Sequence, residues 1–499
     1  MACTTLLVGK HASFDGSTIV ARNEDCCSGE MNEKKFEVML PEHQPRYYKS
    51  VVSHVEIELP NNPMRYTHTP DAINTIGIWG EAGVNEAQVA MSATETITSN
   101  ERVLGADPLV DLIPARGKPG DENYIPELPG GIGEEDFVTI VLPYIKTPRE
   151  GVLRLGALLE EFGTYEMNGV AFSNTEEIWW LETIGGHHWM ARRVPDDCYV
   201  TMPNQLGIDS FDFEDAFGAQ ENHLCSADLL TFVKKNHLDV TGANQAFNPR
   251  DVFGSHSDAD RVYNTPRAWA MQRFLNPHAL NWDAEDAELS PESFNIPWAC
   301  VPERKITIED VKYIMGMHYQ GTKYDPYGNK PEAGKYRCIG INRNCELSIL
   351  QMRGYMPKEL CAIQWLSLGC NVYNCMVPLY TNINAAPEYV SNTGAKVNTE
   401  SMYWTNRLIA ALSDAHYALT LHHIETYQDA MGAYGNKRVH EIDAECLKNE
   451  YTGKELCEYL EKANEQTCEY IKEETIDVLG KVLFDASNNM KNAYSRDDA

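Results

Sequence analysis

MACTTLLVGKHASFDGSTIVARNED, residues 1–25, is the stretch that decides how this chain folds. Two short apolar runs, Thr4–Val8 and Thr18–Arg22, flank a polar turn at residues 13–16 (SFDG). Apolar and β-branched runs of this length on either side of turn-forming residues are typical of a β-hairpin. The stretch therefore predicts two antiparallel strands at the start of the chain.

A cysteine at position 3 lies at the open end of this predicted hairpin. Because the start of the first strand lies beside the end of the second, we expect Arg22 and Asp25 to lie close to Cys3. A neighbouring guanidinium favours the reactive thiolate, and a carboxylate can orient an amino group. The pattern is compatible with a nucleophilic cysteine. Taken alone, however, an early cysteine is more often a core residue, and a charged pair after a strand is often a surface ion pair.

No local motif identifies the base that would activate this thiol. Histidines stand at many positions, among them His11, His187, His188, His256, His318, His422 and His423. None of them belongs to a local signature that marks it as the partner of Cys3. The α-amino group of Cys3 is the alternative base, because its ordinary pKa of about 7.7–8.0 leaves a neutral fraction near pH 7. That chemistry needs Cys3 at the N-terminus, so Met1 and Ala2 must first be removed.

The rest of the sequence adds further strands and ends in helices. The predicted segments are a hairpin over 73–96, a long polar loop over 97–135, a helix over 136–162 with breaks near Pro143 and Pro148, a meander over 168–205, a helix capped by Thr307, strands over 336–384 and helices from 401 to the end. Many antiparallel hairpins followed by helices are typical of the α+β class.

Composition and net charge indicate which partners and which compartment to expect. The chain has 499 residues, 43% of them hydrophobic, and a formal net charge of −31. Because phosphate binding needs clustered lysine and arginine, this acidity argues against nucleic acid and anionic membrane surfaces as partners. No segment approaches the roughly 20 apolar residues of a membrane span, and the first apolar run is too short for a signal peptide. We therefore expect a cytoplasmic protein whose 14 scattered cysteines stay reduced.

The opening of the chain resembles the N-terminus of the dipeptidase A type cysteine dipeptidases. The motif that carries the resemblance is C-T-T-x-L-V-G-K-x-A-S-x-D-G-S-T-x-x-A-R-N-E-D. The similarity covers most of the chain and continues at residues 83–86, 90–96, 178–193, 199–205, 265–267, 319–326, 365 and 377–380. These dipeptidases are N-terminal-nucleophile hydrolases, related to the secernins and more distantly to penicillin V acylase and bile salt hydrolase. The resemblance implies an αββα sandwich over residues 3–400, two antiparallel sheets flanked by helices, with a helical region over 401–499 packed on it.

The resemblance also implies a set of site residues. Asn204, which follows a predicted strand, would donate its side-chain amide to the oxyanion, and Arg267 would support the nucleophile electrostatically. A second oxyanion donor would come from the backbone near Thr94 or Glu95. The residues expected at the site are, for catalysis, Cys3, Arg22, Asp25, Asn204 and Arg267 and, for substrate binding, Asn85, Thr94 and Glu95.

Three functions fit these observations. The first is a dipeptidase that forms a thioester on Cys3 and needs no metal or organic cofactor. Its substrate carries a free amine, for which the acidic candidates are Glu24, Asp25, Glu81 and Glu95. The second is another amide hydrolase of the same fold, acting on N-acyl amino acids, bile-salt conjugates or penicillin V. The third is a secernin-like protein without activity, in which Ala2 keeps Cys3 blocked. Homo-oligomers are common among such enzymes, but no interface can be read from the sequence.

Overall fold

A computed structural model of the chain describes residues 2–26, 31–242, 245–284 and 286–490, with the backbone alone at Ala2, Asn74, Thr94 and Glu95. The strands in these residues are β1 (Ala2–Val8), β2 (Thr18–Asp25), β3 (Glu37–Met39), β4 (Tyr47–Lys49), β5 (Glu56–Glu58), β6 (Tyr66–His68), β7 (Ala82–Val84), β8 (Ala90–Thr96), β9 (Asn168–Ser173), β10 (Ile178–Ile184), β11 (His188–Arg193), β12 (Tyr199–Met202), β13 (His223–Cys225), β14 (Ala299–Cys300), β15 (Asn344–Met352), β16 (Ala362–Leu368) and β17 (Val377–Tyr380). The helices are α1 (Glu101–Ala106), α2 (Glu134–Val141), α3 (Pro148–Phe162), α4 (Phe213–Phe217), α5 (Leu229–Lys235), α6 (Pro249–Phe253), α7 (Asp260–Tyr263), α8 (Thr265–Leu275), α9 (Ile308–Met315), α10 (Glu388–Ser391), α11 (Met402–Ala415), α12 (Tyr417–Asn449) and α13 (Gly453–Asn488).

The N-terminal hairpin forms the centre of the larger sheet. Within the described residues, seven strands pair in the order β14-β12-β1-β2-β15-β16-β17. Strands β1 and β2 are antiparallel, with Cys3 opposite Glu24 and Thr5 opposite Arg22. The predicted hairpin is confirmed, and its second strand runs beyond Arg22 to Asp25.

The second sheet lies face to face with the first. In the described part of the chain it has six strands, in the order β13-β11-β10-β9-β8-β7. Alternate residues of a strand point to opposite faces, so Leu7 and Val20 of the central hairpin meet Trp180 of β10 in a core between the sheets. This core fixes the distance between the two sheets and leaves the other face of each sheet for helices.

Helices cover both outer faces. Trp179, the neighbour of Trp180, points away from the first sheet and packs in a core with Val138 of α2 and Leu155 of α3. Leu6 of β1 packs on the opposite side of the molecule in a core shared with α8, α9 and the C-terminal helices. The layers are therefore helix, sheet, sheet and helix, which confirms the predicted α+β class and αββα sandwich.

Prolines and N-cap residues set the boundaries of the helices that lie between β8 and β9 in the chain. The predicted helix over 136–162 consists of α2 and α3, separated by a 3-10 turn at Leu142–Tyr144 that contains Pro143. Proline donates no backbone hydrogen bond, so it ends one helix, whereas Pro148 begins the next after the Thr147 cap. The predicted loop over 97–135 differs from the structure in two places, because Asn100 caps the short helix α1 within it and α2 already begins at Glu134.

The predicted meander over 168–205 divides between the two sheets. Strands β9, β10 and β11 are neighbours in the six-stranded sheet, as expected. Strand β12 crosses to the other sheet and pairs with β1, with Thr5 opposite Met202. This crossing brings the residues that follow β12, among them Asn204, next to Cys3.

The C-terminal helices α11, α12 and α13 confirm the helical pattern predicted after residue 401. They pack on the seven-stranded sheet, and the side chain of Asn464 in α13 exchanges two hydrogen bonds of 3.0 and 2.9 Å with the backbone of Tyr380 on edge strand β17. A domain boundary at residue 400 stays a prediction. No helix in the described ranges is both long enough and apolar enough to cross a membrane.

Candidate active site

The side chain of Cys3 points into the space between the two sheets, next to Arg22. Both residues lie on the same face of the hairpin as Leu7 and Val20, because they are an even number of positions away from them. Arg22 Nη2 donates a hydrogen bond to Cys3 Sγ at 2.8 Å, and both side chains are buried. The structure thus brings these two predicted site residues together.

Two buried carboxylates hold the guanidinium of Arg22. Its Nη1 contacts Glu81, and its Nη2 donates to Glu134 Oε1 at 2.7 Å. Burial lowers the pKa of Arg22, but the negative groups around it outweigh burial and raise that pKa well above its ordinary value. The guanidinium therefore stays charged at any working pH, and its charge favours the thiolate form of Cys3.

A buried lysine connects this pair to further acidic groups. Lys34 Nζ lies 2.9 Å from Glu24 Oε2, 2.8 Å from Asp71 Oδ1 and 3.4 Å from Glu81 Oε1. Burial raises the pKa of Glu81 to about 8. Burial likewise raises the pKa of Glu24 well above its ordinary value. Glu24 and Glu81, two sequence candidates for binding a substrate amine, are thus buried and bound to Lys34.

On the other face of the hairpin, Arg267 of α8 holds the backbone at Cys3. Its Nη1 contacts the carbonyl oxygen of Cys3 and donates to Thr4 Oγ1 at 2.7 Å. Its Nη2 donates to Asn204 Oδ1 and to Asn264 Oδ1, each at 2.7 Å. Arg267 therefore connects the nucleophile candidate to the segment that follows β12.

The oxygen of the Asn204 side chain faces the backbone nitrogen of Cys3. Asn204 Oδ1 accepts from that nitrogen at 3.4 Å and from Arg267, while Asn204 Nδ2 donates to the carbonyl of Thr96 at 2.9 Å. Because arginine has only donors, the contact with Arg267 fixes which end of the amide is the oxygen. The structure thus brings Asn204 to Cys3, and its donation to an oxyanion stays a prediction.

Asp25 is the last residue of β2 and follows Glu24, the residue opposite Cys3. Its carboxylate is buried and contacts Arg337 and Asn344. In the strand register Asp25 is opposite Ala2, the residue before Cys3. Burial lowers the pKa of Arg337 to about 9.

The predicted substrate-binding residues are Asn85, Thr94 and Glu95, and the structure describes the side chain of Asn85. Asn85 is buried and donates to the carbonyls of Leu142 and Ile145 at 2.8 and 2.7 Å, while its oxygen accepts from Val89 N at 3.0 Å. Both of its amide hydrogens are therefore used to hold the 3-10 turn that follows α2. The side chains of Thr94 and Glu95 lie outside the described residues.

A cleft of about 1010 Å³ opens beside Asn204. It is lined by Thr96, Thr98, Ser99, Asn100, Glu101, Arg102, Leu104, Asn204, Val240, Asp251, Gly254, Ser255, His256, Ser257, Ala259, Asp260, Tyr263 and Asn264. Asn204 and Thr96 thus contact both the cleft and the surroundings of Cys3. The cleft is large enough for a small-molecule substrate.

Sequence comparison places the chain in a known family. The model of Peptidase family C69 matches residues 2–430. The chain belongs to peptidase family C69. A "Dipeptidase" from Bifidobacterium longum (strain NCC 2705) is 54% identical over 100% of both chains. A "Probable dipeptidase A" from Streptococcus pyogenes serotype M3 is 52% identical over 100% of both, and a "Dipeptidase A" from Lactobacillus helveticus is 43% identical over 99% of this chain and 98% of its own length.

Membership of family C69 confirms the resemblance found in the opening motif and makes the chain a peptidase by family. Sequence reasoning missed several residues around Cys3, among them Thr4, Glu134 and Arg337. Thr4 Oγ1 accepts from both Arg267 and Arg337, the second at 3.2 Å. Glu134 is the first of three consecutive acidic residues at the start of α2, a weak signal in the sequence. Arg337 stands in no motif that sets it apart.

Two neighbouring histidines share one acidic partner in this member of family C69. His187 and His188 both bind Asp107, with Nδ1–oxygen distances of 2.8 and 2.6 Å. In the ranges that the structure describes, no group of three or more histidine, cysteine or acidic side chains is arranged to hold a metal ion. The groups that surround Cys3 are arginines, carboxylates and amides.

Proposed function

We propose that this chain is a dipeptidase whose nucleophile is Cys3 after the loss of residues 1 and 2. One observation carries the proposal: Cys3 Sγ is 2.8 Å from Arg22 Nη2, while the nitrogen of Cys3 is 3.4 Å from Asn204 Oδ1. An N-terminal nucleophile uses these two atoms, the sulfur to attack and the nitrogen to carry the proton. The dipeptidase names of the full-length relatives support the substrate class.

In the proposed reaction the neutral α-amine of Cys3 takes the proton of the thiol. The sulfur then forms a bond to the carbonyl carbon of the first residue of the dipeptide. The peptide C–N bond breaks as the amine passes its proton to the leaving amino acid. Water attacks the resulting thioester, the first amino acid leaves as its acid, and the sulfur recovers a proton.

Two arginines divide the supporting roles. Arg22 stabilises the thiolate, and its carboxylate partners Glu81 and Glu134 fix the direction of its guanidinium. Arg267 fixes Asn204, whose second amide hydrogen is the proposed donor to the oxyanion. A donor of this kind typically contributes about 3 kcal/mol to the stability of the transition state.

Removal of residues 1 and 2 would change the surroundings of Asp25. Strand register pairs Ala2 with Asp25, so the new amino group of Cys3 would begin next to this carboxylate. Arg337 and Asn344 hold the carboxylate in place. We assign to Asp25 the orientation of the α-amine. A reducing cytoplasm suits a site that depends on a thiol, and we propose that compartment.

The test compares two preparations that differ only at the N-terminus. One is released from a cleavable fusion so that Cys3 comes first, and the other keeps an uncleavable extension before Cys3, with intact mass as the check on both. We expect hydrolysis of a dipeptide panel by the first preparation and a rate lower by at least about 10³-fold in the second, because the extension removes the base.

Substrate class is tested with the same preparation. Tripeptides, N-acyl amino acids, a bile-salt conjugate and penicillin V are assayed beside the dipeptides. Faster cleavage of an N-acylated compound than of any dipeptide would contradict the dipeptidase assignment. Equal rates for both N-terminal forms would contradict the role of the α-amine.

A further inference from the structure

We infer that the cleft beside Asn204 receives the C-terminal residue of the dipeptide and that Arg102 binds its α-carboxylate. The inference rests on the proposed function, because a dipeptide carries a free carboxylate one residue after the cleaved bond. It assigns a specificity-determining residue that lies outside the set of groups around Cys3.

The position of the cleft relative to Cys3 carries the first step. Cys3 has no exposed surface, whereas Asn204 bonds to the nitrogen of Cys3 and also lines the cleft. The carbonyl of Thr96, which holds the Asn204 amide, belongs to the same wall. A substrate that reaches Cys3 past Asn204 therefore leaves one of its two residues in the cleft.

The ion pairs around Cys3 indicate which of the two residues of the dipeptide enters the cleft. On the inter-sheet side of Cys3, Arg22 is paired with Glu81 and Glu134, and Lys34 is paired with Glu24, Asp71 and Glu81. Both cations are already held by acidic side chains, so neither is left to bind a carboxylate of the substrate. The free carboxylate of the substrate is therefore expected to point the other way, into the cleft.

The cleft offers one cation without an acidic partner. Its two basic side chains are Arg102 and His256, and His256 Nε2 already lies 3.5 Å from Asp251 Oδ1. Among the residues that the structure describes, no carboxylate lies within ion-pair distance of Arg102, whose Nη2 donates only to the carbonyl of Val252 at 3.3 Å. Most of its donors remain available to a ligand.

Acidic residues of the cleft do not compete for that guanidinium. Asp260 is buried and accepts hydrogen bonds from Ser255 Oγ at 3.0 Å, from Ser257 N and Oγ at 2.9 Å each, and from Asn264 Nδ2 at 2.6 Å. These four bonds account for its acceptor capacity. Glu101 is exposed to solvent beside Arg102.

The backbone that carries Arg102 is held firmly. Asn100 Oδ1 accepts from the backbone nitrogens of Arg102 and Val103 at 3.1 and 3.2 Å, and Asn100 Nδ2 donates to the carbonyls of Val252 and Gly254 at 2.9 and 3.3 Å. Only the long side chain of Arg102 can therefore adjust to a ligand. A guanidinium matches a carboxylate with two parallel hydrogen bonds, and the size of the cleft leaves room for varied side chains on the residue so held.

The test uses the preparation that begins at Cys3 and compares Arg102→Gln with Arg102→Lys. The two substrates are the dipeptide cleaved fastest by the unaltered protein and the C-terminal amide of that dipeptide, which lacks the negative charge. For Arg102→Gln we expect the KM for the dipeptide to rise about 10- to 100-fold, the cost of losing hydrogen bonds to a charged group. The kcat for the dipeptide and the KM for the amide should stay within about threefold, and the lysine variant should fall in between.

Controls separate this inference from the proposed function. Arg116→Gln removes another exposed arginine outside the cleft and should leave both substrates unaffected. If the unaltered protein does not cleave the amide, inhibition by the free C-terminal amino acid is compared with inhibition by its amide, and Arg102→Gln should weaken only the first. If Arg102→Gln changes the binding of the acid and of the amide equally, or changes neither, the role of Arg102 is overturned and the proposed function stands. An unaltered protein that cleaves no dipeptide would overturn both.

Discussion

Cys3 and Cys26 are two buried thiols at the same end of the β1–β2 hairpin, and each contacts an arginine. Arg22 Nη2 lies 2.8 Å from Cys3 Sγ, and Arg407 Nη2 lies 3.3 Å from Cys26 Sγ. Cys26 meets a further condition for a thiolate. Hydrogen bonding from Cys345, with help from the charge of Arg407, outweighs burial and lowers the pKa of Cys26 to about 6.

The two thiols differ in what their backbone nitrogens do. The nitrogen of Cys26 donates to the carbonyl of Arg343 at 2.8 Å and belongs to a peptide bond inside the chain. The nitrogen of Cys3 faces Asn204, which lines the cleft, and it would become a free amine on the proposed loss of residues 1 and 2. In the proposed mechanism a low thiol pKa beside an arginine is insufficient for catalysis, which also needs a base and a route for the substrate.

The comparison predicts the largest effect for the thiols themselves. Cys3→Ala should lower kcat/KM for dipeptides by at least about 10³-fold, because it removes the proposed nucleophile, whereas Cys26→Ala should stay within about threefold. Steady-state assays on protein that begins at position 3 measure both. Circular dichroism and thermal unfolding of each variant check that the fold is retained. Comparable losses in the two variants would break the distinction between the thiols.

Local sequence patterns were enough to predict the hairpin, the α+β class and the proximity of Cys3 to Arg22, because a hairpin register is set by residues that are close in the chain. The αββα sandwich was predicted from the family resemblance. Asn204 and Arg267 came from the family resemblance, and the structure brings both to Cys3.

Other parts of the site depend on contacts that no local pattern encodes. Arg337 reaches Thr4 across a sequence separation of 333 residues. Glu134 reaches Arg22 only because α2 packs on the second sheet and that sheet packs on the first. Asn85 shares a motif with the family, yet its amide hydrogens hold the backbone of the 3-10 turn that follows α2. Packing between layers therefore decided which polar residues meet at Cys3.

Arg22 and Arg407, the arginines beside the two thiols, give the next test. Arg22→Gln removes the charge that favours the Cys3 thiolate, so the pKa of that thiol should rise and kcat/KM near neutral pH should fall roughly 10- to 100-fold. The acid limb of the pH–rate profile should move to higher pH. Arg407→Gln should leave the profile in place, because Arg407 contacts Cys26 and not the proposed nucleophile. An unchanged profile in Arg22→Gln, despite a lower rate, would assign Arg22 to structure alone.

The smallest expected effect concerns stability and involves no change in turnover. The pKa of Cys26 in the folded chain is about 6, below its ordinary value of 9.0, so between these values the unfolded chain binds more protons at this site than the folded chain. The contribution of the Cys26 thiolate to the free energy of unfolding should therefore grow as the pH rises from 6 to 9 and be absent below 6.

Urea unfolding in the presence of a reductant, at several pH values across that interval, measures this difference between the unaltered protein and Cys26→Ser. Cys361→Ser is the matched control, because burial raises the pKa of Cys361 to about 11 and the thiol stays protonated throughout. Its difference from the unaltered protein should be flat with pH. A flat difference for Cys26→Ser as well would show that Cys26 stays a protonated thiol, and Cys3 would then be the better candidate for a thiolate at this end of the hairpin.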